Sequence, residues 1–424
     1  MTIQNPNFHI MTMGCKINQY ESQSLTQGML NRGFSLVCDP ASAQTVIINS
    51  CAVTSRAVRD LKKTCRYLAR TCPHSRILIT GCAAQVFRPE LEKLPQVWKV
   101  IPQQDKTQLH LGPDSLWDPA TAPGYGISDY FRSRAVVKIQ DGCSHRCTYC
   151  IVPSTRGQSK SRTPEAILAE IKRLMENRFT EIILCGINTR LYGKDLSPSM
   201  DLFELIQFLR RFLNADKSRL RLRLSSLEPS QLDSRALNIL TRDRLICPHL
   251  HISLQSGSPA VLKRMNRKHY TPEQLTSFIR HLKQSWPVFG LGVDIIAGFP
   301  GETAQDHQKT MDLLDKLPIT YAHVFPYSPR PGTPAARFSS QVPSALKQER
   351  AAQLRALARE KKAAFLQKLL CLPVLEVVME NMDKAVSEYY AECIVHSSKP
   401  LAPRQNLQVR PSGLENSRLI CRPA

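Results

Sequence analysis

The segment DGCSHRCTYC places Cys143, Cys147 and Cys150 at spacings of four and then three residues, and no further cysteine follows within the next thirty positions. A site of four thiolates saturates its metal, as structural zinc does. Three thiolates on a cubane iron–sulfur cluster leave one iron open to a small molecule, and an open iron is a place for chemistry. The alternative is a zinc ion that takes His145 as its fourth ligand. Zinc sites commonly pair two CxxC-type knuckles, and the chain has no second one.

Three more cysteines share a different signature. FHIMTM, TVIIN and RILIT are short apolar runs rich in β-branched residues, and each leads into a cysteine: MTMGC with Cys15, IINSC with Cys51 and LITGC with Cys82. SQSLTQGMLNRG and SRAVRDLKKTCRYLART carry helical periodicity between them, and VWKVI follows as a fourth run. Strand alternating with helix predicts an open parallel sheet with right-handed crossovers. Ligands usually bind beyond the C-terminal strand ends of such a sheet, so the three thiols can converge there as a second candidate metal site. Any one of them alone would read as a small buried hydrophobe. Cys38, Cys65, Cys72, Cys185, Cys247, Cys371, Cys393 and Cys421 have no such shared placement and are expected to be structural.

The elements that must position these residues fill a chain of 424 residues, 42% hydrophobic and 22% charged, a balance that supports two or three globular domains. The start MTIQNPNFHIMTMGC lacks a basic, apolar leader, and no run of eighteen apolar residues occurs, which predicts a cytoplasmic chain without a membrane partner. In that reducing compartment fourteen cysteines point to metal or redox chemistry rather than to a disulfide framework. The formal charge of +22 points to a polyanionic partner, nucleic acid first. Residues 1–130 carry +4 and residues 368–424 only +1, so +17 lies in residues 131–367. Arg264, Arg267 and Lys268 in VLKRMNRK are expected as phosphate contacts, the alternative being that they cover a solvated helix face or help position the cofactor.

Pro102 to Arg132 reads as a linker, rich in proline and glycine. A second strand–helix series follows: AVVKI, EIILC, RLRLS, LHISL, VDIIAG and AHVFPY. Six strands in that order predict a complete or partial β/α barrel whose active site lies at the C-terminal strand ends. The polar stretches GIN, SSLEP, QSGSP and GFPGET fall there. Beyond a long basic helix, VLEVVM, EYYAECIVH, NLQVR and RLICR predict a small all-β module. The fold class is therefore α/β, with expected domains at 1–120, 133–365 and 368–424.

The triplet resembles the signature of the radical S-adenosylmethionine superfamily, with Tyr149 matching the aromatic usual before the last cysteine. That resemblance implies a 4Fe-4S cluster on Cys143, Cys147 and Cys150. Its open iron would chelate S-adenosylmethionine, which an electron then cleaves to methionine and a 5′-deoxyadenosyl radical. Gly186, Asn188, Ser226 and Glu228 fall where members bind the cofactor's methionine and ribose parts. GCKINQYES, NSCAVT, GCAAQ, CIVPSTRG, SSLEP, HISLQSG, VLKRMNRK, DIIAGFPGET and FPYSPRPGTPA, in this order, resemble the methylthiotransferase family over residues 8–365. This second resemblance implies a further 4Fe-4S cluster on Cys15, Cys51 and Cys82 whose open iron carries the sulfur to be inserted.

Lys16 and Asn18 in the first motif resemble the branch that acts on C2 of N6-threonylcarbamoyladenosine beside the anticodon. The implied partners are a tRNA anticodon stem-loop, an electron donor and a sulfur source, the last two of unspecified identity. Other branches take isopentenyladenosine in tRNA or an aspartate of a ribosomal protein. Outside enzymes, the charge also fits a metal-stabilised nucleic-acid-binding protein. No side chain is singled out as a catalytic acid, base or nucleophile. The tail sits where members carry a TRAM β-barrel, but its net +1 and the adjacent Tyr389 and Tyr390 make only a weak basic-aromatic surface for RNA, so the barrel domain with its +17 is expected to carry more of the RNA contact.

Overall fold

The computed structural model describes residues 6–111, 126–213 and 220–424. The chain groups into two compact units, one of Met1–Ser128, Asp141–Ser159 and Pro329–Ala336, the other of Asp129–Gln140, Lys160–Ser328 and Arg337–Ala424. The segment holding Cys143, Cys147 and Cys150 thus belongs to the same unit as Cys15, Cys51 and Cys82.

In the first unit five parallel strands form a sheet: β1 (Asn7–Thr12), β2 (Ser35–Leu36), β3 (Thr45–Ser50), β4 (Arg76–Gly81) and β5 (Val97–Val100), ordered β2-β1-β3-β4-β5. The consecutive apolar residues Val46, Ile47 and Ile48 suit β3 to the centre, because a strand covered on both faces buries neighbouring side chains on both sides. Val46, Ile47 and Ile48 have no exposed surface. Each contributes about 1.5–3 kcal/mol of burial. Helices α1 (Lys16–Leu30) and α2 (Ser55–Thr71) supply the crossovers. α2 begins where the Thr54 hydroxyl accepts from the Ala57 amide, 3.1 Å away, and buries Val58, Leu61, Cys65 and Leu68 at helical spacing.

The expected linker corrects in part. Gln103–Leu111 is a 3-10 helix with Gln103, Lys106 and Leu109 buried, and Ile127 and Tyr130 are buried as well. Much of the remainder lies outside the described residues. Proline and glycine content hid this ordered piece because what holds it is a buried ion pair, which leaves no periodicity.

The second unit holds the six expected barrel strands and one short one. β6 (Ala135–Asp141), β7 (Lys160–Ser161), β8 (Glu181–Gly186) and β9 (Arg221–Leu224) form a sheet ordered β7-β6-β8-β9. β10 (His249–Gln255), β11 (Gly290–Ala297) and β12 (Tyr321–Pro326) form another, parallel throughout. Bridges from Leu222 to Ile246 and from Leu227 to Ile252 join the two, giving a partial barrel. The tail is a closed five-strand barrel of β13 (Leu375–Met379), β14 (Lys384–Ser387), β15 (Glu392–Val395), β16 (Asn406–Glu415) and β17 (Arg418–Pro423). Closure removes the free edges that a small sheet would otherwise expose. No helix among the described residues is long and apolar enough to cross a membrane.

One carboxylate ties the closed barrel to the parallel strands. Glu181, first in β8 and fully buried, receives Arg221 at 2.6 Å and Arg223 at 2.7 Å, with Arg134 at 3.7 Å. Burial raises its carboxyl pKa, and the three guanidiniums outweigh burial, so the net shift is downward. The arginines then donate to backbone carbonyls of the closed barrel: Arg221 to Glu376 and Val386, Arg223 to Ser387 and Glu388. Tyr390 lies under Arg134 and Arg223 and 4.6 Å from the His249 ring, and the Tyr389 carbonyl presses on Gly290. Tyr390 and the Tyr389 backbone thus pack the tail onto the parallel strands.

Glu181→Gln leaves buried guanidiniums without their counter-charge, and breaking a buried pair costs about 3–5 kcal/mol. The expected result is a lower urea midpoint for the second unit, followed by hydrogen exchange of β13–β17. An unchanged midpoint contradicts the role given to Glu181.

Candidate active site

Each N-terminal cysteine follows the end of its strand, and the strands are neighbours in the order β1-β3-β4. Adjacent strands lie roughly 5 Å apart, so three consecutive strand ends span about 10 Å. Two glycines let the cysteines approach one another. Gly14 has φ +98°, and a Cβ there would lie 2.6 Å from Cys51 Cβ and 2.8 Å from its sulfur. Gly81 has φ +96°, and a Cβ would lie 2.4 Å from the Ser50 carbonyl. Any larger residue would push β3 away from its neighbours' ends.

Cys51 and Cys82 are buried, whereas Cys15 is open to solvent. Cys15 is nevertheless ringed by protein, and desolvation raises its thiol pKa, with Cys82 and Glu21 adding to the rise and Arg156 opposing it. Burial pushes the Cys51 thiol up to about 11, Cys15 and Cys82 push the same way, and the Val53 amide and Arg156 oppose. The three sulfurs therefore share one electrostatic environment with an open side. That suits a cluster, which takes each thiolate on a separate iron and needs access for its fourth ligand.

Cys143 is buried, and Cys147, Tyr149 and Cys150 are half-buried. Backbone hydrogen bonds pin the loop: the Cys143 amide donates to Gly157 at 3.0 Å, Cys150 to Cys147 at 3.1 Å, and Ala335 to Thr148 at 2.9 Å. His145 Nδ1 lies 3.7 Å from Cys147 sulfur. Among the described residues, the one group of three or more Cys, His, Asp or Glu ligand atoms all within 4.8 Å of each other is His251, Asp294 and His323.

A buried charge network joins the two cysteine-bearing regions. Arg156 donates to Glu21 and to Asp141, both at 2.8 Å, and to Asn18 Oδ1 at 2.6 Å. Lys106 reaches Glu21 at 2.6 Å and Asn49 Oδ1 at 2.9 Å. Asn18 in turn donates to the carbonyls of Met13 and Ser50, which fixes the turns before Cys15 and Cys51. Burial lowers the Lys106 pKa and Arg156 adds to the fall; Glu21 opposes both, and the net shift remains downward. Sequence reading passed over Arg156, Lys106 and Glu21. It also passed over Arg330, which is buried, donates to Ser55 Oγ at 2.8 Å and sits 5.6 Å from the Phe87 ring. Burial lowers the Arg330 pKa, and Cys51 opposes that fall without cancelling it. The basic residues inside otherwise uncharged motifs, CIVPSTRG and SPRPG, were the available signal.

In the second unit, Gly186 ends β8, Asn188 caps the turn Thr189–Leu191, Ser226 follows β9 and Glu228 opens the turn Pro229–Gln231. The Asn188 amide N–H donates to Gln140 at 2.9 Å, and the Ser226 carbonyl accepts from Thr189 at 3.1 Å. All four residues thus fall at C-terminal strand ends. Glu228 is buried, paired with Arg267 and 3.3 Å from His269 Nε2. Burial raises its carboxyl pKa, while His269 and Arg267 lower it more, for a net downward shift. The expected phosphate-contact role of Arg267 therefore corrects: it is 2% exposed and also donates to the Ser253 carbonyl. Arg264 is occupied by the Gly301 carbonyl and Asp306, which leaves Lys268 exposed as the remaining candidate of the three.

Comparison with known proteins adds lineage to this geometry. The profile of the Radical SAM superfamily matches residues 137–314, and that of Uncharacterized protein family UPF0004 matches residues 7–102. The chain is 34% identical over 396 residues to the Threonylcarbamoyladenosine tRNA methylthiotransferase MtaB of Bacillus subtilis, covering 90% of this chain and 86% of that protein. It is 30% identical over 420 residues to the tRNA-2-methylthio-N(6)-dimethylallyladenosine synthase of Ehrlichia canis, covering 92% and 93%. Among solved structures, the radical S-adenosylmethionine methyltransferase TsrM of Kitasatospora setae superposes with a TM-score of 0.55 at 15% identity, over 78% of this chain and 77% of that one, a likeness of fold.

The raised Cys51 thiol has a measurable consequence in metal-free protein. Moving from 9.0 to about 11 leaves roughly 100-fold less thiolate at pH 8 than in an unshifted thiol. Iodoacetamide labelling mapped by mass spectrometry is expected to modify exposed Cys38 first, with the Cys51 rate climbing until about pH 11. Equal rates at pH 8 contradict the enclosed thiol cluster.

Proposed function

The chain belongs to the radical S-adenosylmethionine methylthiotransferase family, and from that we infer that it inserts a methylthio group at C2 of N6-threonylcarbamoyladenosine beside the anticodon of tRNA. The observation that carries the reading is the gathering of two three-cysteine sets in one compact unit. The MtaB relative supports the threonylcarbamoyl branch.

In this reading Cys143, Cys147 and Cys150 hold one 4Fe-4S cluster, and Cys15, Cys51 and Cys82 hold a second. When bound, these clusters and S-adenosylmethionine supply the one-electron chemistry and the sulfur. The chain's own residues provide placement. Arg156 and Lys106 set two buried cations beneath the cysteine-bearing turns, where they offset the negative charge that thiolate-bound clusters bring. Tyr149, Gly186, Asn188 and Ser226 bind and orient the cofactor. Glu228, with its carboxylate committed to Arg267 and His269, contributes by fixing the loop that carries Ser226. The basic surface of residues 131–367, Lys268 included, meets the tRNA backbone, and the working place is the cytoplasm. The electron donor and the sulfur source are external. Segments 1–120, 133–365 and 368–424 divide this labour as sulfur-carrying, radical-generating and β-barrel modules.

The dimethylallyladenosine synthase relative favours a second reading, in which the same chemistry acts on that nucleoside. Nucleoside mass spectrometry of tRNA from cells with and without the gene separates the two. Loss of 2-methylthio from threonylcarbamoyladenosine alone is the expected result, and loss from dimethylallyladenosine instead overturns the branch. With purified protein, Cys147→Ala is expected to stop 5′-deoxyadenosine formation. Cys51→Ala is expected to retain it while yielding no methylthiolated tRNA.

A further inference from the structure

A second cluster of potential ligands lies apart from all six of these cysteines in sequence and chemistry. His251 on β10, Asp294 on β11 and His323 on β12 come from three neighbouring parallel strands, with Asp294 and His323 directly paired in register. His251 Nε2 is 3.0 Å from Asp294 Oδ1, and His323 Nδ1 is 3.2 Å from the same oxygen. All three ligand atoms lie within 4.8 Å of one another.

We propose that His251, Asp294 and His323 form a binding site for a divalent first-row transition cation such as zinc, separate from the iron–sulfur clusters. Ligands at about 2.0–2.1 Å from a tetrahedral ion stand roughly 3.3 Å apart, close to the separations seen between these nitrogens and the shared carboxylate oxygen. Two imidazoles and one carboxylate are a donor set that such ions favour over calcium or magnesium.

The surroundings match those of a ligating histidine, whose other ring nitrogen is normally held by a partner. His251 Nδ1 lies 2.9 Å from the Tyr321 hydroxyl, and that hydroxyl lies 2.9 Å from His249 Nε2. The Tyr321 ring crosses directly over Gly292, where a Cβ would lie 2.1 Å from ring carbon Cζ, so the glycine is what lets the tyrosine reach both histidines. On the other side His323 is about half exposed and lines a cavity of about 510 Å³ together with Arg134, Tyr389 and Tyr390. The cavity gives the ion a way in and leaves a coordination position for water or a ligand oxygen. Because β12 and the closed barrel both border this cavity, the ion would brace the seam between them.

The test uses holoenzyme reconstituted anaerobically, so that the six cysteines already carry iron, and Zn2+ alone as the probe. After zinc addition and desalting, elemental analysis is expected to find one more zinc per chain in the parent than in His323→Ala or Asp294→Asn, with iron and sulfide unchanged. Zinc affinity is expected to fall at least about tenfold in either variant. His323→Ala removes a half-exposed side chain, and circular dichroism checks that it remains folded. Equal zinc retention in parent and both variants overturns the site. So does extra zinc that disappears in Cys147→Ala but persists in His323→Ala. Neither readout depends on methylthiolation, so the proposal stands or falls independently of the assigned reaction.

Discussion

The first unit depends on a single buried carboxylate. Glu21 has no exposed surface and holds two cations, Lys106 from 85 residues away and Arg156 from 135 residues away. Separate burial of three charges would cost several kcal/mol apiece, and only mutual pairing with full hydrogen bonding makes it tolerable. The set is therefore all-or-none. Removing any member strands the others, so the turn of Cys15, the segment Gln103–Leu111 and the loop of Cys143, Cys147 and Cys150 are held as one body. Asn18 extends this to the backbone, binding Arg156 through its oxygen and the carbonyls of Met13 and Ser50 through its nitrogen.

Parallel topology supplies the other half of the arrangement. A parallel sheet places all its C-terminal strand ends on one edge, and a thiol follows three of them, with Gly14 and Gly81 permitting the close approach. The second unit uses the same logic with polar loops in place of thiols, and reserves its opposite, N-terminal strand ends for docking the closed barrel through Glu181 and its arginines. Reactive groups and structural fastening are thus kept at different ends of the same strands.

Much of this was legible in the sequence. All ten principal parallel strands, and the strand-end placement of Cys15, Cys51 and Cys82, follow from period and punctuation, because strands that are buried on both faces announce themselves as apolar runs. What stayed hidden is electrostatic and long-range. Lys106 sits in a stretch whose composition says linker. Arg267 belongs to a basic run yet is buried against Glu228, and Tyr390 is an aromatic whose partners, Arg134, Arg223 and His249, lie more than 130 residues away. A charge in sequence does not reveal whether its counter-charge will be water or a distant side chain. The ledger of +22 therefore overstated how many cations remain available to a polyanion.

The claim that Glu21 holds the Cys143–Cys150 loop is tested most directly by amide hydrogen exchange in the parent and in Glu21→Gln, a substitution that preserves shape and removes charge. The account predicts that the amides of Cys143 and Cys150, which donate to Gly157 and Cys147, exchange at least about tenfold faster in the variant while those of β13–β17 keep their protection. Unchanged protection at Cys143 and Cys150 would contradict it.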